Sequence, residues 1–116
     1  MSRVLIVDDD EAVRVVAETV LRADGHEVES ACDGEAALGA LGDRPPPSIV
    51  LLDLMMPHVS GWEVLETMAH RPQLARVPVL VLTGYDEVAG LPRHCHVLHK
   101  PIDADLLRQR VRELEG

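Results

Sequence analysis

Residues 3–25 read RVLIVDDDEAVRVVAETVLRADG, and this stretch decides the fold. Val4, Leu5, Ile6 and Val7 form a continuous apolar run rich in β-branched residues, the pattern of a strand covered on both faces. Three aspartates follow at once. Val13, Val16, Ala17, Val20 and Leu21 then recur at helical spacing up to Gly25, a C-cap signal. A buried strand that passes through a short polar turn into an amphipathic helix is the first half of a βαβ unit.

The same alternation continues outward from this unit. Apolar runs at His26 to Ala31, Ile49 to Leu52 and Val79 to Leu82, with a weaker one around Cys95 to Leu98, predict four further strands. Between them, Asp33 is placed to cap a second helix through Ala36, Ala37 and Leu41, and a third follows Gly61 with Trp62, Val64, Leu65 and Met68. Pro45, Pro46 and Pro47 separate the second helix from the third strand. A last helix starts after Pro101, with Asp103 near its start and Ile102, Leu106, Leu107, Val111 and Leu114 on one face. The segment from Tyr85 to Arg93 contains Gly90 and Pro92, so the helix expected there is reduced or absent. The expectation is one α/β domain filling residues 1–116, a five-stranded parallel sheet flanked by helices on both faces.

Composition narrows the function. Of the 116 residues 47% are hydrophobic but only 2% aromatic, one Trp and one Tyr with no Phe, so the core has to be aliphatic. Twenty acidic residues against 11 basic ones give a formal charge of -9. No basic stripe is present to hold a phosphate backbone, which argues against nucleic acid as a partner. No apolar run approaches the roughly 20 residues that cross a bilayer, and the start lacks a signal-peptide core. A cytoplasmic protein without a membrane partner is expected. Cys32 and Cys95 then read as free thiols.

In an open parallel sheet, ligand-binding side chains gather beyond the carboxyl ends of the strands, near the point where strand order reverses. The first strand runs into Asp8, Asp9 and Asp10; the third ends at Asp53, the fourth at Thr83 and the fifth at Lys100. Each has a plain structural reading. The three aspartates suit a helix N-terminus, Asp53 a turn before Pro57, and Lys100 a solvated surface. The chemical reading is that converging carboxylates require a cation, and an oxygen-rich set of this kind suits Mg²⁺. One carboxylate beside the ion can attack a phosphoryl group, while an ammonium and a hydroxyl stabilise the phosphoryl oxygens. Lys100 and Thr83 have those capabilities.

Four motifs in order, Val4-Leu5-Ile6-Val7-Asp8-Asp9-Asp10, Leu51-Leu52-Asp53-Leu54-Met55-Met56-Pro57 with Gly61, Leu82-Thr83-Gly84 and Lys100-Pro101, resemble the receiver domain of two-component response regulators. The resemblance covers essentially the whole chain and implies a (βα)5 flavodoxin-like receiver fold. It implies Asp53 as phosphoacceptor, Mg²⁺ held by Asp8, Asp9 and Asp53 with the Met55 carbonyl, Thr83 as the hydroxyl that bonds the phosphoryl group, and Lys100 as its ion-pair partner. It also implies a histidine kinase or phosphotransfer protein as donor, a downstream protein target, and a cis Lys100-Pro101 peptide. Such a domain is a signalling switch, with at most self-catalysed phosphotransfer and dephosphorylation.

The chain departs from the family pattern twice. The interval from Thr83 to Lys100 is several residues shorter than usual, and Val97 stands where members usually carry an aromatic three residues before the lysine. The usual threonine-aromatic relay and output face therefore lack parts, and a different surface, the shortened loop included, is expected to carry the signal. Receivers shortened in this way are similar to those fused to hybrid histidine kinases, which implies a longer parent protein. The rival reading is a receiver-like module that signals by docking alone. A haloacid-dehalogenase-like phosphatase would need a second Asp two residues after the nucleophile, and Met55 occupies that place.

Three features fall outside the motifs. His94, Cys95, His96 and His99 are potential metal ligands, but on a strand His94 and His96 face opposite to Cys95 and His99. Trp62 reads as a helix-start residue packed at the surface, with partner docking as its functional reading. His58 sits in the loop after Asp53 as a solvated side chain or one that affects access.

Overall fold

The computed structural model describes residues 2–42, 44–85 and 88–115. Five strands and four helices are formed among them: β1 (Arg3–Val7), α1 (Glu11–Ala23), β2 (Glu27–Ala31), α2 (Gly34–Ala40), β3 (Ile49–Asp53), α3 (Gly61–Ala69), β4 (Val79–Thr83), β5 (Cys95–His99) and α4 (Ala104–Leu114). All strand pairs are parallel, in the order β2-β1-β3-β4-β5. The order reverses between β1 and β3, so the loops leaving those two strands diverge to opposite faces and open a crevice at their carboxyl ends.

Strand periodicity divides the core in two. Leu5, Val7, Val50, Leu52, Val79 and Val81 pack with Ala37 and Leu41 and with Val64, Leu65 and Met68, which covers one face with α2 and α3. Val4, Ile6, Ile49, Leu51, Leu80 and Leu82 pack with Ala17, Val20 and Leu21 and with Leu107 and Val111, which covers the other with α1 and α4. Successive residues on each inner strand serve opposite layers, so β3 and β4 are buried along their whole length.

The helices start where short polar side chains satisfy their first amide groups. Asp10 caps α1, Asp33 caps α2, Ser60 caps α3 and Asp103 caps α4. Helix α1 ends at Ala23, with Asp24 as its cap, and the φ of 90° at Gly25 lets the chain reverse toward β2. Between β4 and β5 no helix forms among the described residues, of which Asp86 and Glu87 are not part. Gly90 and Pro92 account for this, as the sequence led one to expect.

Candidate acidic phosphoacceptor site

Four strand ends meet in the crevice. Asp8 follows β1, Asp53 ends β3, Thr83 ends β4 and Lys100 follows β5. Register aligns them: Val7 pairs with Leu52, Asp53 with Leu82 and Thr83 with His99, and the Lys100 amide donates to the Thr83 carbonyl at 2.7 Å. Asp8, Asp53 and Thr83 are buried, whereas Asp9 is exposed at the rim.

Carboxylate oxygens of Asp8, Asp9 and Asp53 all lie within 4.8 Å of one another. The Lys100 ammonium reaches Asp8 Oδ2 at 2.8 Å and Asp53 Oδ2 at 3.5 Å. Apart from that ion pair, Asp8 Oδ2 is a buried oxygen without a hydrogen-bond partner among the described residues. Its other oxygen accepts from the Asp10 amide at 2.9 Å, and Asp53 Oδ1 accepts from the Met55 amide at 3.0 Å. Three carboxylates against one ammonium leave the pocket with excess negative charge. An all-oxygen donor set with excess negative charge, part of it buried, fits a hard divalent cation.

The protonation behaviour follows from burial first and from this crowding second. Burial pushes the Asp53 carboxyl up to about 6; the Met55 amide pulls it down, Asp8 repels its charge, and Lys100 opposes that repulsion in part. For Lys100, burial works against the charged form, but its hydrogen bond and attraction to Asp8, with Asp53 behind, outweigh burial and lift it above the ordinary lysine value. The lysine is thus held as a cation.

The three consecutive aspartates have separate tasks. Asp10 accepts from the Ala12 and Val13 amides as the cap of α1, while Asp8 and Asp9 join Asp53. Met55 turns its side chain outward. The Thr83 hydroxyl accepts from the Tyr85 amide at 3.0 Å, and the Lys100-Pro101 peptide is cis. Among the described residues His94, Cys95, His96 and His99 form no metal-holding cluster; Cys95 and Val97 lie on the α2/α3 layer and Leu98 on the other. His58 takes a positive φ of 65° in the loop after β3.

Two supports were not read from the sequence. The Arg14 guanidinium, one turn into α1, donates to the Asp8 carbonyl at 2.7 Å and fixes the β1–α1 turn. Gly61 approaches the end of β3 so closely that a Cβ would stand 2.6 Å from Leu54 Cα, and its amide bonds the Leu54 carbonyl at 3.0 Å. The glycine in the motif was the available signal for the second; nothing marked the first.

A buried acid pair and rim acid beside a lysine, at the switch point of a β2-β1-β3-β4-β5 sheet, is the arrangement of one class of phosphoryl-accepting signalling domain. The chain belongs to the response regulator receiver domain family, whose model matches residues 4–112. It is 39% identical over 118 residues to the response regulator PleD of Caulobacter vibrioides, covering 97% of this chain and 26% of that one. It is 34% identical over 119 residues to the DNA-binding dual master transcriptional regulator RpaA of Synechocystis, covering 98% of this chain and 49% of that protein. The crystal structure of the receiver domain from the hybrid histidine kinase CckA superposes with a TM-score of 0.85 at 35% identity, over 98% of this chain and 99% of that one. The chain therefore spans between about a quarter and a half of these curated relatives. Receiver domains are phosphoacceptor switches of two-component signalling, and a module that signals by docking alone is not favoured. No helix of the described residues is long and apolar enough to cross a membrane.

Proposed function

We propose that Asp53 accepts a phosphoryl group from a phosphohistidine of a histidine kinase or phosphotransfer protein. The observation that carries this reading is the placement of the Asp53 carboxylate at the end of β3, 3.5 Å from the Lys100 ammonium and clustered with Asp8 and Asp9. An Asp53 carboxylate oxygen attacks phosphorus as the P–N bond breaks; the imidazole leaves with the electron pair and takes up a proton. Lys100 and the Thr83 hydroxyl then donate to the phosphoryl oxygens. Asp8, Asp9, Asp53 and the Met55 carbonyl would hold Mg²⁺, which would supply the positive charge that offsets the acids and the incoming phosphoryl group. Attack of water at phosphorus later breaks the bond to Asp53 and restores its carboxylate, so the domain resets itself but turns over no metabolite.

The domain occupies residues 1–116, works in the cytoplasm, and passes its state to a protein target rather than to nucleic acid. Its acidic composition supports the last point, and any nucleic-acid contact would fall to other parts of a longer parent. Incubation with acetyl phosphate and MgCl₂ tests the acceptor. Intact mass is expected to rise by one phosphoryl group in the wild type and not in Asp53→Asn. A wild type that gains no mass while a known receiver does so under the same conditions sinks the reading.

A further inference from the structure

The two aromatic residues of this chain lie on one cavity. Trp62 of α3 and Tyr85 of the β4–β5 connection line a hollow of about 210 Å³ together with Met55, Leu54, Val88 and Ala89, and Thr83 forms part of its wall. Met55, Trp62 and Tyr85 are 61%, 38% and 58% exposed. In a chain that otherwise buries an aliphatic core, this is a concentration of the side-chain types that anchor protein contacts. The shelf is open because no helix covers the connection among its described residues.

Its charge is one-sided. The stretch 54–69, which brings Met55 and Trp62, contains Glu63 and Glu66 and no Lys or Arg; the described residues of the β4–β5 connection that line the hollow, Tyr85, Val88 and Ala89, bring no basic group. Glu63 and Glu66 are exposed, and Glu66 follows Trp62 at the helical spacing that places both on one side of α3. The shelf is also tied to the acid pocket. The Met55 amide donates to Asp53 and the Tyr85 amide to the Thr83 hydroxyl, so a phosphoryl group that recruits either acceptor alters a bond holding the shelf.

We propose that the Met55–Trp62–Tyr85 shelf docks a cationic protein segment with an apolar anchor, and that its occupancy is linked to that of the acid pocket. Docking needs no phosphoryl group; the linkage rests on the reading of Asp53 given above. The sole tryptophan makes the shelf its own reporter. Tryptophan-free peptides built from Lys and Leu, Lys and Ser, or Glu and Leu are titrated into the full chain while Trp62 emission is followed. The Lys/Leu peptide alone is expected to give a saturable blue shift, weakened about tenfold by Tyr85→Ser and unchanged by Val15→Ser on the exposed face of α1.

Equal binding to wild type and Tyr85→Ser, loss of binding on Val15→Ser, or equal binding of the Glu/Leu peptide overturns the proposal. So does emission that changes with dilution of the protein alone, which assigns the shelf to a second copy. Mg²⁺ with beryllofluoride is expected to shift the peptide affinity in the wild type and not in Asp53→Asn; an unchanged wild-type affinity overturns the linkage. Failure of the acceptor reading shows separately, as absence of the mass gain with acetyl phosphate.

Discussion

Asp53 is strained electrostatically before any ligand arrives. Its carboxyl titrates at about 6 when folded against an ordinary 3.8, so the folded state binds the proton more tightly than the unfolded one. The associated stability is full below about pH 4 and is lost as pH rises through about 6. In metal-free buffer, Asp53→Asn is expected to be about 2 kcal/mol more stable than wild type at pH 7.5 and nearly equal to it at pH 4, as read by urea unfolding with EDTA. A wild type as stable as the variant at pH 7.5 would show that Lys100 and the Met55 amide fully offset the burial and crowding of Asp53. His58 carries a second local cost, its positive φ. Because glycine takes that conformation freely, His58→Gly is expected to raise stability by about 0.5–1 kcal/mol, and a lowered melting temperature would refute the strain.

At the scale of elements, the loops at the carboxyl ends of the strands are held by caps and one close approach. Asp10→Ala is expected to lose about 1 kcal/mol of stability through α1 while keeping Mg²⁺-dependent phosphoryl incorporation, since Asp10 caps and does not join the acid cluster. Loss of incorporation in that variant at full folding would return Asp10 to the site. Gly61→Ala forces a Cβ against the backbone of Asp53 and Leu54, so about 3 kcal/mol of destabilisation and reduced incorporation should appear together. A thermal melt and intact mass on the same sample check this pairing. Element positions were legible because β-branched runs and helical spacing agree: each strand formed where its run lay, within a residue or two of the expected ends. Strand order was not written in any single run, and the Arg14 contact to the Asp8 carbonyl depends on a turn geometry that spacing does not encode.

For the molecule as a whole, the charge of -9 is unevenly used. Part of it is gathered in the acid pocket, where Asp8, Asp9 and Asp53 exceed Lys100; part lies on α3 beside Trp62, in the exposed Glu63 and Glu66. MgCl₂ is expected to raise the melting temperature more than NaCl at matched ionic strength, with the difference abolished in Asp53→Asn. Equal effects of the two salts would reduce the pocket to general screening. The candidate site was readable in outline because polar residues at successive strand ends, in one predicted sheet, have a common destination. The separation of Asp10 from Asp8 and Asp9 was implied by the family resemblance and not by residue chemistry, since a carboxylate suits both a cap and a cation. Nor was the meeting of Trp62 with Tyr85, which are far apart in sequence and joined only by the neighbouring positions of β3 and β4.

The central claim is chemical and local, that the phosphoryl group is carried by one named carboxylate. Borohydride reduces an acyl phosphate to the corresponding alcohol, so the protein phosphorylated with acetyl phosphate and Mg²⁺ can be reduced, digested and sequenced by tandem mass spectrometry. The account predicts homoserine at position 53 and unmodified aspartate at positions 8, 9 and 10. Reduction at position 8 or 9, or no reduced residue in protein that has gained the phosphoryl mass, would contradict it.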